Sequence, residues 1–129
     1  MLDITRHLLP TAPDRVAPFS PAVRAGDFLF VTGQMPTLPG GGMTLVEGGV
    51  TEQTWQVLHN LRAVVEGCGG DMARTVFARV YLTQFERDYA AMNAVWEKAF
   101  AGGLPARTCV GVTGLAVGAL VEVDLVVAM

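Results

Sequence analysis

Near the C-terminus, the residues from Leu120 to Val127 keep one wholly apolar face at a period of two. In an extended chain Val121, Val123, Leu125 and Val127 fall on one face, and Leu120, Glu122, Asp124 and Val126 on the other. A helix cannot use this pattern, because a period of two scatters the apolar residues around its circumference. The segment, taken as Ala119 to Val127, reads as a strand whose valine face must be covered by another layer.

Two segments of helical period supply that layer. From Thr51 to Glu66 the apolar positions Val57, Leu58, Leu61, Val64 and Val65 build one stripe. Thr51 can cap its start, Glu52 suits the positive end of the helix dipole, and Gly67, Gly69 and Gly70 end it. From Glu86 to Phe100 a second stripe runs through Tyr89, Met92, Val95, Trp96, Ala99 and Phe100, and Gly102-Gly103 stops it. Both stripes read as core.

The remaining segments read as strands. Ala25-Gly26-Asp27 is a tight turn ahead of a strand from Phe28 to Thr32. Thr75 to Leu82 sets Val76, Ala78, Val80 and Leu82 against Phe77, Arg79 and Tyr81. Ala106 to Thr113 leads through Gly114–Gly118 to the final strand, and a short strand falls near Ile4 to Leu8. Between Pro36 and Gly49 the chain is rich in glycine and proline and is expected to be an exposed, mobile loop. The order β-β-β-α-β-α-β-β describes a single α+β domain over residues 1–129, a sandwich with two helices on one face of the sheet.

Composition narrows the function. Hydrophobic residues make up 51% of the chain and charged ones 16%, more apolar surface than a domain this small can bury alone, so some is expected to meet another subunit. The net charge is −3 and the nine basic residues form no stripe, which argues against nucleic acid. The apolar C-terminal region is interrupted by Thr113, Glu122 and Asp124 and does not read as a membrane span. The N-terminus lacks the pattern of a secretory signal, and Cys68 and Cys109 make no disulfide framework, so a cytoplasmic location is expected.

Several chemistries lack their residues. Ser20 is the only serine and His7 and His59 the only histidines, too little for a serine triad. No metal-ligand spacing occurs, Lys98 lies on a helix, and Gly40–Gly42 lack the following Gly-Lys of a phosphate loop, so no cofactor is expected. The conspicuous residue is Arg107, a permanent charge in the otherwise uncharged strand PARTCVGV. Arg107, Cys109 and Gly111 share a face. If this strand paired antiparallel with the last one, Arg107 and Glu122 could line one cleft. Two readings are open: an ordinary ion pair of Arg107 with Glu122 or Asp124, or a fork for a ligand carboxylate beside a carboxylate base. Cys109 reads more readily as a small buried hydrophobe than as a nucleophile.

The run LPARTCVGVTGLAVGALVEVDLVV resembles the C-terminal signature of the RidA (YjgF-type) family. APFSPAVRAGDFLFVTGQMP, EQTWQVLHNLRAVVEGCGG and VYLTQFERDYAAMNAVWEKAF follow in the family's order, so the resemblance runs from about Ala17 to Val127. It implies a chorismate-mutase-like two-layer α+β fold, a mixed sheet with two helices on one face, assembled as a homotrimer with sites between subunits. It further implies cofactor-free hydrolysis of reactive 2-imino or enamino acids to 2-keto acids and ammonia. Arg107 matches the arginine that holds the substrate carboxylate and Glu122 the glutamate that positions water. Gly33 and Cys109 match positions whose backbone meets the substrate, and Thr32 stands where a serine is common. Phe19, in Pro18-Phe19-Ser20-Pro21, replaces a usual tyrosine, keeping an aromatic wall without its phenol. That exchange fits either a pocket for a larger enamine acid, of aminomuconate or aminoacrylate type, or neutral drift. The rival from another class is a non-enzymatic, ligand-binding or chaperone-like trimer.

Overall fold

The computed structural model describes residues 1–9 and 17–129. Three strands open the fold: β1 (Ile4–His7), β2 (Ala22–Ala25) and β3 (Phe28–Gln34), each antiparallel to the next. The β2–β3 turn passes through Gly26 at φ 59°, the left-handed conformation glycine adopts at little cost. Helix α1 (Val50–Gly67), strand β4 (Thr75–Leu82), helix α2 (Phe85–Ala99), strand β5 (Ala106–Gly111) and strand β6 (Val121–Ala128) follow. The sheet order is β1-β2-β3-β6-β4-β5. Both helices lie on one face, giving the mixed-sheet α+β sandwich expected.

The alternating segment takes a central place. β6 lies between β3 and β4, antiparallel to both. Val121, Val123, Leu125 and Val127 are all at most 1% exposed. They meet Val57, Leu61, Val64 and Val65 of α1 in a continuous core with Ala78, Val80 and Leu82 of β4. Each such aliphatic side chain contributes about 1.5–3 kcal/mol on burial.

One expected pairing does not occur. β5 runs parallel to β4 at the sheet edge, with Ala78 opposite Arg107 and Val80 opposite Cys109, and β4 separates it from β6. The reason is the α2 crossover, which returns the chain to the end of the sheet where β4 began, so β5 must run parallel to it.

Three local expectations also change. Helix α1 starts at Val50, one residue before Thr51; its cap is Gly49, whose N–H donates to Glu52 Oε1 at 3.3 Å. A register shift between Thr75 and Phe77 turns Val76 out of the core, while Ala78, Val80 and Leu82 keep their inward face. The Pro36–Gly49 loop is exposed over residues 38–44, as expected, and is in addition tied by hydrogen bonds. Leu38 N donates to Thr44 O (2.8 Å) and Val46 N to Pro36 O (2.9 Å). Buried Asn60 on α1 donates through Nδ2 to both Met35 O (2.9 Å) and Thr37 O (2.8 Å).

Candidate active site

The face of the sheet away from the helices carries Glu122 and Asp124 of β6, Phe77, Arg79 and Tyr81 of β4, and Phe28, Phe30 and Thr32 of β3. A groove of about 500 Å³ runs over it, with Phe30, Thr32, Gly33, Phe77, Arg79 and Asp124 among its walls. Ser20 stands at the rim, and Thr32 N donates to Pro21 O (3.0 Å), docking the segment that holds half-buried Phe19 against β3.

Glu122 and Gly33 fit one another. The β3–β6 ladder slips register between Val31 and Gln34, a bulge of the kind found beside functional sites. The Glu122 carboxyl group occupies the space thus opened: a Cβ on residue 33 would sit 2.9 Å from its carboxyl carbon. The backbone of Gly33 does not need positive φ, so glycine is required here for room. Burial, and then the nearby Asp124 charge, push the Glu122 carboxyl above the ordinary range, favouring its protonated form.

Asp124 is otherwise engaged. Its Oδ1 accepts from Arg79 Nε at 2.9 Å and its Oδ2 from the Tyr81 hydroxyl at 3.1 Å. Burial and the adjacent carboxylate raise the Tyr81 phenol, so it stays a donor at neutral pH.

Arg107 points the other way. Its Cα partner Ala78 belongs to the core face, and its guanidinium lies over two rings of α2, Trp96 at 5.3 Å and Tyr89 at 5.9 Å from the centroids. Nη1 donates to Met92 Sδ at 3.6 Å, a weak contact. Neither Glu122 nor Asp124 pairs with it, so the ordinary ion pair considered from the sequence does not form within one chain. Instead an aromatic and thioether cradle holds a cation with, among the described residues, no carboxylate opposite it. Cation–π contacts of this kind contribute about 0.5–2 kcal/mol and leave the guanidinium edge open to an anion. Cys109, on the same face, packs against the core, and burial raises its thiol despite the opposing pull of Arg107; it is no ready nucleophile.

Of the residues singled out in the sequence, Thr32, Gly33 and Glu122 come together on the open face, with the Phe19 segment adjoining. Arg107 and Cys109 lie on the other face at the edge. Tyr89, Met92 and Trp96, read from the sequence as plain core, prove to be the cradle of Arg107. Their spacing was visible, but a helical stripe does not say which strand residue it covers. Among the described residues no group of three or more His, Cys, Asp or Glu side chains is placed to hold a metal ion, and no helix is long and apolar enough to cross a membrane.

The chain is thus a mixed-sheet α+β domain with a half-buried carboxylate on one face and, at one edge, an arginine that meets no carboxylate among the described residues. The family model described as Endoribonuclease L-PSP matches residues 9–129, and the chain belongs to this family, the RidA/YjgF family. A RutC family protein of Pyrococcus horikoshii is 37% identical over 115 residues, covering 89% of this chain and 90% of the relative. A 2-iminobutanoate/2-iminopropanoate deaminase of Mus musculus is 33% identical, covering 98% and 93%. The crystal structure of RidA from an Antarctic Psychrobacter superposes with a TM-score of 0.88 at 32% identity, over 96% of this chain and 100% of that one.

Proposed function

We propose that the protein is a cofactor-free deaminase that hydrolyses 2-imino and enamino acids to 2-keto acids and ammonia. The observation that carries this reading is the Arg107 guanidinium, which forms no ion pair among the described residues and is cradled so that its edge is left for a carboxylate from outside the chain. Likeness to the mouse deaminase supports the reaction class.

Arg107 and Glu122 face away from one another in a single chain, so a cleft that uses both needs two chains. The proposed assembly is a homotrimer in which the edge strand β5 of one subunit meets the open face of its neighbour. Arg107 then grips the substrate carboxylate through its fork. The backbone at Gly33 and Cys109 and the Thr32 hydroxyl orient the imine, and Phe19 walls it off from solvent. Glu122 takes a proton from water as the oxygen adds to the imine carbon, giving a carbinolamine. Glu122 returns this proton to the amino group. The C–N bond then breaks as the hydroxyl gives its own proton to the Glu122 carboxylate and its electron pair forms the carbonyl, releasing ammonia. Burial raises the Glu122 carboxyl, which makes its ionised form a stronger base than a solvent-exposed glutamate.

The Phe19 ring, lacking a phenol, favours a second reading in which the preferred substrate is a larger enamine acid. The non-enzymatic, ligand-binding trimer is the rival from another class, and the unpaired arginine counts against it. RNA cleavage, named in the family description, finds no support in a net charge of −3 without a basic stripe.

The test is a coupled assay in which a dehydratase releases 2-iminobutanoate and a chemical trap competes for it. Arg107→Ala should lower kcat/KM about a hundredfold or more while the oligomer persists, because an anchor for a charged substrate is removed. Unchanged turnover in that variant would end the proposal; no turnover in either protein, with aminomuconate also inert, would favour the binding-module reading.

A further inference from the structure

A second cleft lies in the helix layer, away from the open sheet face. It has a volume of about 390 Å³, within the range of small-molecule pockets. Three parts of the chain enclose it: the exposed flank of α1, the Asp71–Ala73 turn, and the C-terminal end of α2 with its Gly102-Gly103 turn. Its floor is apolar, formed by Leu58, Met72 and Phe100, each at most 7% exposed. Above that floor stand Trp55, His59 and Arg62, spaced so that one line of α1 presents all three.

Among the described residues these side chains have no polar partner. Trp55 is 44% exposed, an indole left beside an apolar floor. Among the described residues Arg62 forms no ion pair, with neither Asp71 across the cleft nor Glu66 one turn further along α1. His59 makes no side-chain hydrogen bond either. Asp71 is turned to another task, its Oδ1 accepting from Ala73 N at 2.8 Å. An apolar floor, a free indole face and an unpaired guanidinium define the complement: a flat apolar body with one negative charge at its end. The Asp71 carboxylate at the far wall disfavours a second negative charge on the same ligand.

We propose that this cleft is a binding site for a small planar monocarboxylate, an aryl or indolyl acid, separate from the site that holds Arg107 and Glu122. The ring lies against Trp55 over Leu58 and Phe100. The carboxylate meets Arg62, with His59 as a second donor. Because the cleft belongs to the helix layer, it stays accessible when open sheet faces associate, and occupancy there does not compete with substrate.

The test is an amide and indole NMR titration of the full chain with 1-naphthoate, with 1-naphthylmethanol as the uncharged comparator. Saturable shifts are expected at the Trp55 indole N–H and at Ala73, Gly102 and Gly103. Arg62→Gln should weaken naphthoate binding about fivefold, as expected for an exposed guanidinium–carboxylate pair, and leave the alcohol unaffected. Trp55→Ala should weaken both probes, and both side chains are exposed enough for the variants to fold. Arg107→Ala should leave the titration unchanged. The proposal is overturned if no shift at these residues saturates, if Arg62→Gln binds naphthoate as tightly as the parent, or if Arg107→Ala abolishes the shifts, which would place the probe in the other site.

Discussion

At the scale of single residues, the telling feature is how differently the three acidic or basic groups of interest are housed. Asp124 has two donors, Glu122 is pressed against Gly33, and Arg107 rests on rings and sulfur. The raised Glu122 carboxyl has a consequence for stability. Its folded pKa lies above its unfolded value, so the fold binds the proton more tightly than the unfolded chain does. Stability from this group is therefore full at pH below the unfolded value and is lost as pH rises through the folded one. Glu122→Gln removes that loss. It should melt at or above the parent temperature at pH 7, with the difference vanishing near pH 4, while kcat falls about a hundredfold or more through loss of the base. A melting temperature well below the parent at pH 7 would show Glu122 to be structural. Gly33→Ala tests the close approach from the other side: the new Cβ must displace the Glu122 carboxyl, so turnover should fall with Glu122 still present, measured with the same coupled assay.

Among elements, α1 does more than cover the sheet. Asn60, fully buried, holds the carbonyls of Met35 and Thr37, and Gln53 Oε1 accepts from Leu120 N at 2.8 Å where β6 begins. The helix thereby fixes both the loop after β3 and the entry to β6, the strands that carry Gly33 and Glu122. Asn60→Ala leaves two buried carbonyls without their donor and should cost about 2 kcal/mol in a denaturant titration. Faster hydrogen exchange should follow at the Leu38 and Val46 amides, which close the loop. An unaltered exchange pattern would mean the loop holds itself. From the sequence this loop reads as mobile because glycine and proline break regular elements and mark turns and loops. Its tether is a single asparagine on a helix 23 residues beyond Thr37, and no local pattern announces so distant a bond.

Taken whole, the molecule leaves one sheet face uncovered. Phe28, Phe30 and Val110 are 45%, 50% and 41% exposed there. This is the apolar excess that the composition implied, and the homotrimer proposed above would bury it. Phe30→Asp places a charge in that patch and should shift the protein to monomers in sedimentation velocity, with activity lost although Arg107 and Glu122 remain. A trimer that survives this change would move the interface elsewhere.

Much of the fold was legible because its signals are local. The alternation of Val121, Val123, Leu125 and Val127, the two helical stripes and the glycines that end them each arise from backbone period and steric freedom within a short stretch. The same period correctly put Arg107 with Cys109, and Glu122 with Asp124. What it could not relate is one strand to another. Strand order is decided by the α2 crossover and by which faces the whole core can bury together, contacts between residues far apart in the chain. Tertiary structure alone therefore decided that β4 stands between β5 and β6, that Arg107 and Glu122 look to opposite sides of the sheet, and that the arginine rests on Trp96 and pairs with neither Glu122 nor Asp124.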